Sequence, residues 1–179
     1  RFQPPPTDRP RAPKECLLQM KQLLLAFPIA LLPLAAAAED TAMLAHYWTD
    51  SGSVSPEYAW ETTVTILEDG SLSLKYCTGY SSEGPDCKTR SAKVTDDQLN
   101  AIRSAALESG LKDTPAKELS DDMIPIGGSA TGGRVMVDGQ EVDLLSFPTE
   151  EDAPRVAKVL QAIHDAIPDR LRRKFMDES

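Results

Sequence analysis

Two stretches of alternating side chains constrain the fold of this chain more than any other feature. Residues 58–66 and 72–77 place apolar and β-branched or aromatic side chains at every second position, which is typical of half-buried strands. A three-residue loop ending at Gly70 sets Ile66 opposite Leu72, whereas a two-residue loop would set Ile66 opposite a serine. Only the longer loop keeps one apolar face. We therefore predict a hairpin with Gly70 in the left-handed position of a G1 bulge.

A second hairpin is predicted around Asp138-Gly139, because a two-residue type I′ loop there sets Val135 opposite Val142. Two weaker patterns suggest further strands. Residues 41–49 are mixed in polarity and end before a turn-forming segment, and residues 88–94 follow a cysteine and extend the sheet.

Two helices follow the two hairpins in the sequence. The first begins at Thr95, which forms a capping box with Gln98, and it ends at Gly110. Its predicted buried stripe is Leu99, Ile102, Ala106 and Leu107. The second helix has Pro154 in its first turn and ends or kinks at Pro168. Its predicted buried stripe is Val156, Val159, Leu160, Ile163 and Ile167.

The predicted fold class is α+β, with a four- or five-stranded antiparallel sheet and two helices on one face in hairpin–helix, hairpin–helix order. At 179 residues the chain is expected to hold one domain. We place that domain at residues 39–168. Residues 169–179 are predicted to be a charged, solvated C-terminal tail.

The first 38 residues are predicted to lie outside the mature protein. Met20-Lys21 precedes a mainly apolar run of 13 residues, and four alanines at 35–38 lead into Glu39-Asp40. This order of a basic start, an apolar run and a small-residue exit is typical of a secretory signal peptide, here residues 20–38. Residues 1–19 are proline-rich and are interpreted as an upstream or non-native segment.

Two of the three cysteines, Cys77 and Cys87, lie in the predicted mature chain. In an exported protein such a pair favours one disulfide. A zinc site is the competing interpretation. It would need more ligands nearby, and the only histidines, His46 and His164, are far away in sequence. No metal and no cofactor is predicted.

Charge and hydropathy exclude two classes of partner. Removal of residues 1–38 takes away five bases and two acids, so the formal net charge changes from −9 to −12. Such an acidic chain is a poor nucleic-acid binder, since phosphate binding needs a basic face. The sequence also lacks an apolar run of 18 residues, so no membrane span is predicted.

Four apolar or aromatic residues are candidates for protein binding. Tyr80 lies in the loop that the predicted disulfide closes, and Met123, Ile124 and Ile126 lie in the long connection after the first helix. A disulfide-held loop loses little entropy on binding, and an exposed apolar strip is a docking surface. The alternative is that the strip packs over the sheet edge and the loop merely closes a hairpin.

Catalytic patterns are weak. Neither His46 nor His164 lies beside a nucleophile motif such as G-x-S-x-G, and the glycine-rich segment 127–133 lacks phosphate-loop spacing. No catalytic residue is therefore assigned. A small envelope hydrolase or metal-dependent enzyme that uses His46 or His164 with an acid remains the alternative function.

The order of elements resembles that of emfourin-type small α+β proteins, which inhibit thermolysin-like metallopeptidases. The resemblance covers roughly residues 60–167: the helix from Leu99 to Leu111, the hairpin 134–146, and the helix that Pro154 leads. It implies the fold and, as an expectation, peptidase inhibition. The inhibitory segment of that family has no match in residues 39–57, so no functional residue is carried over.

Together these observations predict an exported, non-catalytic domain, periplasmic or secreted, that binds another protein. The most specific form of this prediction is a peptidase inhibitor, and the partner would be a peptidase or an envelope protein. An envelope housekeeping domain without inhibitory activity is a further alternative.

Overall fold

The computed structural model describes residues 41–79, 84–125 and 127–175, all of which belong to one compact unit, 39–179. The described residues form six strands in one antiparallel sheet, in the spatial order β4-β3-β2-β1-β5-β6. The strands are β1 (Met43–Asp50), β2 (Trp60–Leu67), β3 (Ser71–Thr78), β4 (Asp86–Lys93), β5 (Ala130–Val137) and β6 (Gln140–Leu144). The helices are α1 (Asp96–Ser109), α2 (Ala153–Ala166) and α3 (Asp169–Phe175).

Both predicted hairpins are confirmed. In the β2–β3 hairpin Ile66 pairs with Leu72, and Gly70 has a φ of +77°. In the β5–β6 hairpin Val135 pairs with Val142, and both loop residues have positive φ values. In each hairpin the loop length that keeps apolar side chains on one face is the one adopted, because register and burial are coupled through the period of two.

One face of the sheet, which we call the inner face, packs against the helices. The buried residues Val64, Leu74 and Val135 lie on it and share one core with Ile102 of α1 and Ile163 of α2. As predicted, α1 has a capping box formed by Thr95 and Gln98 and ends at Gly110, whose φ is +65°. The stripe on α2 is also confirmed, although Leu160 is only partly buried.

The sheet has six strands rather than four or five, because both weakly patterned segments, residues 41–49 and 88–94, correspond to strands, β1 and β4. In β4 only Ala92 is partly buried and the other seven residues are exposed, so no apolar alternation marks this edge strand. The strand is held by its pairing with β3 and by its connections to the chain on either side.

The C-terminal segment also differs from the prediction. Residues 169–175 are not a solvated tail but form α3, in which Leu171 and Phe175 are buried. The Phe175 ring lies 5.7 Å from the Tyr76 ring, and the Phe175 carbonyl oxygen accepts a hydrogen bond from the Thr62 hydroxyl at 3.1 Å. Pro168 lies between the two helices: α2 ends before it, and α3 begins directly after it and packs on the inner face.

Leu107 was predicted to be buried in α1, but its side chain is 56% exposed. Ala105 and Ser109 take its place in the buried set.

None of the helices formed by described residues is long and apolar enough to cross a membrane.

Candidate functional site

Three loops meet at one end of the sheet, where β1 ends and β2 begins. Because neighbouring strands are antiparallel, the end of β3 and the starts of β4 and β5 lie at this same end. We define the loop edge as the described residues of these loops: 51–59, 79, 84–85 and 127–129. The two predicted binding segments, around residue 80 and at 123–126, are directly continuous in sequence with loop-edge residues.

The first loop, residues 51–59, is closed at its base by two hydrogen bonds. The Ser51 amide donates to the Trp60 carbonyl oxygen at 3.0 Å, and the Trp60 amide donates to the Ser51 hydroxyl oxygen at 3.1 Å. The Gly52 amide donates to Asp50 Oδ1 at 2.7 Å, which forms an Asx turn. The loop is thus ordered by its own polar groups.

The first loop also contacts the other two. The Gly79 amide donates to the Ala59 carbonyl oxygen at 2.8 Å, which ties the loop after β3 to the first loop. Gly52 has a φ of +68°, and a Cβ atom placed on it would lie 1.8 Å from the carbonyl oxygen of Gly128. Only glycine allows the first loop and the segment before β5 to approach this closely.

The predicted pairing of Cys77 with Cys87 is confirmed. The two residues are directly opposed in β3 and β4, with their Cα atoms 4.1 Å apart. Cys77 is buried and Cys87 is exposed. The disulfide closes the loop that contains Tyr80 and fixes edge strand β4 at the loop-edge end.

Of the four predicted binding residues, Tyr80 and Ile126 lie outside the described residues. Each is a direct sequence neighbour of a loop-edge residue, Gly79 or Gly127. Met123 ends a short 3₁₀ turn, Asp121–Met123, and its side chain is 58% exposed. Ile124 is half-buried, so Met123 is the more exposed of the two described candidates in this segment.

Sequence reasoning missed Tyr58. The alternating pattern assigned this residue to the apolar face of β2, but it ends a 3₁₀ turn, Pro56–Tyr58, and its side chain is 70% exposed. Pro56 is the signal that could have separated the turn from the strand, because proline favours the first position of a helical turn.

A cavity of about 310 Å³ opens at the loop edge, between the Ser51–Ser53 backbone and residues 59–61. Asp50 and Glu61 line it from opposite strands, and the two residues are directly paired in the β1–β2 register. Two like charges in a directly opposed pair repel each other. The part of the cavity wall formed by Asp50 and Glu61 is therefore negatively charged.

The two histidines lie on different faces of the sheet. His46 points away from the helices, with Nδ1 3.2 Å from the Thr65 hydroxyl oxygen, and its pKa is lowered by burial and by the Arg134 charge. Tyr47, the next residue, points to the inner face, where its ring lies 6.3 Å from the His164 ring. Burial raises the pKa of Tyr47, and a Thr131 hydrogen bond opposes that shift. The arrangement does not bring the histidines together.

His164 lies beside Asp165, with Nδ1 3.7 Å from Oδ1, and lines a second cavity of about 340 Å³ with Tyr47 and Thr131. Within the described ranges, no group of three or more His, Cys, Asp or Glu side chains is placed to hold a metal ion. Neither histidine thus has a metal-ligand set around it in this part of the chain.

Comparison with known proteins adds no assignment. No protein-family model matches the chain, and no curated protein matches it significantly. The resemblance to emfourin-type inhibitors therefore stays a prediction, and the function must be argued from the site itself.

Proposed function

We propose that the mature chain is an exported, non-catalytic domain that binds another protein through the loop edge. The observation that supports this best is the convergence of three loops at one end of the sheet. The predicted binding segments around residues 80 and 123–126 are more than 40 positions apart in sequence, yet both continue into that end.

The loop edge is already ordered in the free protein. The first loop is closed by hydrogen bonds at Ser51 and Trp60, and it is tied to the loop after β3 by the Gly79–Ala59 hydrogen bond. The disulfide restricts the loop that contains Tyr80. Binding by such loops costs less conformational entropy than binding by a free segment, so more of the contact energy appears as affinity.

The exposed side chain of Tyr58 provides apolar contact area at the loop edge. Three large hydrophobic side chains are exposed among the described residues: Tyr58, Leu107 and Met123. Tyr58 belongs to the loop edge, and Met123 lies five residues before Gly128. Aromatic and methionine side chains are enriched where one protein surface contacts another.

The exported location is part of the proposal. A disulfide between Cys77 and Cys87 is stable in an oxidising compartment and is rare in the cytosol. Together with the signal peptide predicted at residues 20–38, it supports a periplasmic or secreted protein.

A pull-down from the envelope fraction of the producing cells tests the proposal. The bait is residues 39–179 with the disulfide formed, alongside Tyr58→Ala and, as the matched control, Leu107→Ala. Both changes remove an exposed hydrophobic side chain, but only Tyr58 lies at the loop edge. We expect a saturable partner that Tyr58→Ala loses and Leu107→Ala retains. Equal binding by all three baits would contradict the proposal.

Peptidase inhibition is the most specific form of the proposal and has its own test. Purified metallopeptidases of the thermolysin type and serine peptidases are assayed with the protein at micromolar concentration. Inhibition that Tyr58→Ala weakens would support this form. Full activity across the panel would remove it, while the more general proposal would still rest on the pull-down.

A further inference from the structure

The loop edge has charge of one sign. The described residues of its three loops include no lysine, arginine or histidine, and neither does the segment 118–125 that leads into the third loop. Carboxylates lie in this segment, in the first loop and in the flanking strand ends: Asp50, Glu57, Glu61, Asp86, Glu118, Asp121 and Asp122. Two bases lie close by in sequence: Lys117, which directly precedes the segment 118–125, and Lys88, which lies 3.8 Å from Asp86.

Bases also lie near this end of the sheet. Four of them lie in α3, and Lys88, Arg90 and Lys93 lie along β4. Arg90 and Lys174 both lie within 6 Å of the Phe175 ring centroid, at 5.9 and 5.5 Å. Since Phe175 also accepts a hydrogen bond from Thr62 near the start of β2, the bases of α3 lie near this end of the sheet on its inner face, whereas Asp50 and Glu61 lie on the opposite face.

Glu61 is the most informative of the acidic residues. It is exposed, it faces Asp50 across the strand pair, and its carboxylate makes no hydrogen bond or ion pair with a side chain or backbone group of the described residues. A directly opposed like-charge pair costs stability. A cation placed against Asp50 and Glu61 would remove that repulsion.

We propose that the partner docks a cationic surface on the loop edge, with Tyr58 as the apolar anchor. This inference rests on the proposed function and names the class of its partner. Asp50, Glu57 and Glu61 lie in the same loop as the anchor or in the strands that this loop joins, and they face arginine or lysine side chains of the partner. An apolar centre with a charged rim is the usual arrangement of a specific protein interface, and complementary charge raises the association rate and fixes orientation.

A pair of peptides tests the charge requirement directly. Acetyl-Arg-Leu-Arg-amide carries two guanidinium groups, and acetyl-Cit-Leu-Cit-amide replaces each arginine with its neutral isostere, citrulline. Each is titrated into the chain with its disulfide formed, and the backbone amide signals of Gly52, Trp60 and Gly79 are followed by NMR. We expect saturable shifts with the arginine peptide and a Kd roughly fivefold to tenfold weaker with the citrulline peptide.

Two matched double variants test which carboxylates bind the arginine peptide. Glu57→Gln/Glu61→Gln and Asp113→Asn/Asp143→Asn each remove two exposed carboxylates, but only the first pair lies in the first loop and at the start of the adjoining strand β2. We expect the first variant to weaken binding of the arginine peptide by roughly fivefold or more, and the second to leave it within about twofold. Equal binding of both peptides, equal effects of both variants, or the absence of saturable shifts at the three amides would each overturn the inference.

The outcome separates this inference from the proposed function. If Tyr58→Ala loses a saturable partner in the pull-down but the two peptides bind equally, the loop edge binds a protein without the cationic surface. If Tyr58→Ala loses no partner, the proposed function fails whatever the peptides do.

Discussion

A Cβ atom on Gly52 would lie 1.8 Å from the carbonyl oxygen of Gly128, so the two backbones are in direct contact at the end of the sheet. This contact joins the loop after β1 to the segment that enters β5. The Gly79–Ala59 hydrogen bond joins the same loop to the segment after β3. The loop edge therefore depends on the backbone of the first loop.

Replacing Gly52 with alanine should disrupt this contact. Gly52 and Gly128 both have left-handed φ values, +68° and +86°, but a Cβ atom on Gly128 would meet nothing within 4 Å. We expect Gly128→Ala to cost about 1–2 kcal/mol from backbone strain alone, and Gly52→Ala to cost about 3 kcal/mol or more. Urea unfolding measures both free energies. Equal losses would show that the close approach does not matter.

Loss of the disulfide should destabilise the protein and loosen β4 in particular. The bond joins residues ten positions apart, and closing a loop of that size stabilises the folded state by about 2.5–3 kcal/mol in the chain-entropy model. Because β4 buries so little apolar surface, we expect its amides to exchange fastest in Cys77→Ser/Cys87→Ser. Reduction of the native protein should have the same effect, and reductant should not change the variant. Unchanged exchange in β4 would be inconsistent with this role.

Phe175 should hold α3 on the inner face. Its ring packs against Tyr76 and is almost fully buried, so we expect Phe175→Ala to cost about 3 kcal/mol in urea unfolding. Arg173 lies in the same helix and is exposed. Arg173→Ala should change the free energy of unfolding by no more than about 0.5 kcal/mol. Similar effects of the two variants would mean that α3 is not packed as described.

Asp152 should make stability depend on pH in the acid range. Its carboxylate accepts hydrogen bonds from the Lys117 amide at 2.8 Å and from Arg155 at 2.6 Å, and these bonds lower its pKa below the ordinary value of 3.8. A carboxyl group with a lowered folded-state pKa stabilises the protein above the unfolded-state value. That contribution is lost as pH falls through the folded-state pKa.

The measurement is the Tm of the native protein and of Asp152→Asn from pH 7 to pH 2. We expect the native protein to have the higher Tm near neutral pH, with a constant difference down to about pH 5 that shrinks at lower pH. A difference that stays constant to pH 2 would show that the charge of Asp152 does not contribute.

Local signals explain why much of the fold could be predicted from the sequence. The hairpin loop lengths follow from burial on one face, and the ends of α1 follow from Thr95, Gln98 and Gly110. These features depend on residues that are close together in the chain. They are therefore encoded by patterns that a single sequence displays.

The remaining features depend on tertiary contacts. β4 buries too little to show more than a weak pattern, and α3 looks like a charged tail because only Leu171 and Phe175 are buried. Asp152 directly precedes α2, and its carboxylate accepts a hydrogen bond from the Lys117 amide, 35 positions away in the long connection. Nothing local in the sequence places the three loops at one end of the sheet, since that follows from strand order.

Site-specific photo-crosslinking in cells tests whether the loop edge binds a partner protein. A benzoylphenylalanine residue is placed at position 58, at the loop edge, or at position 107, where the native leucine is also exposed. The two full-length proteins are expressed in the producing cells and irradiated. We expect position 58 to give a discrete protein adduct, and position 107 to give no adduct of the same mass. The same adducts from both positions, or no adduct from position 58, would contradict binding through the loop edge.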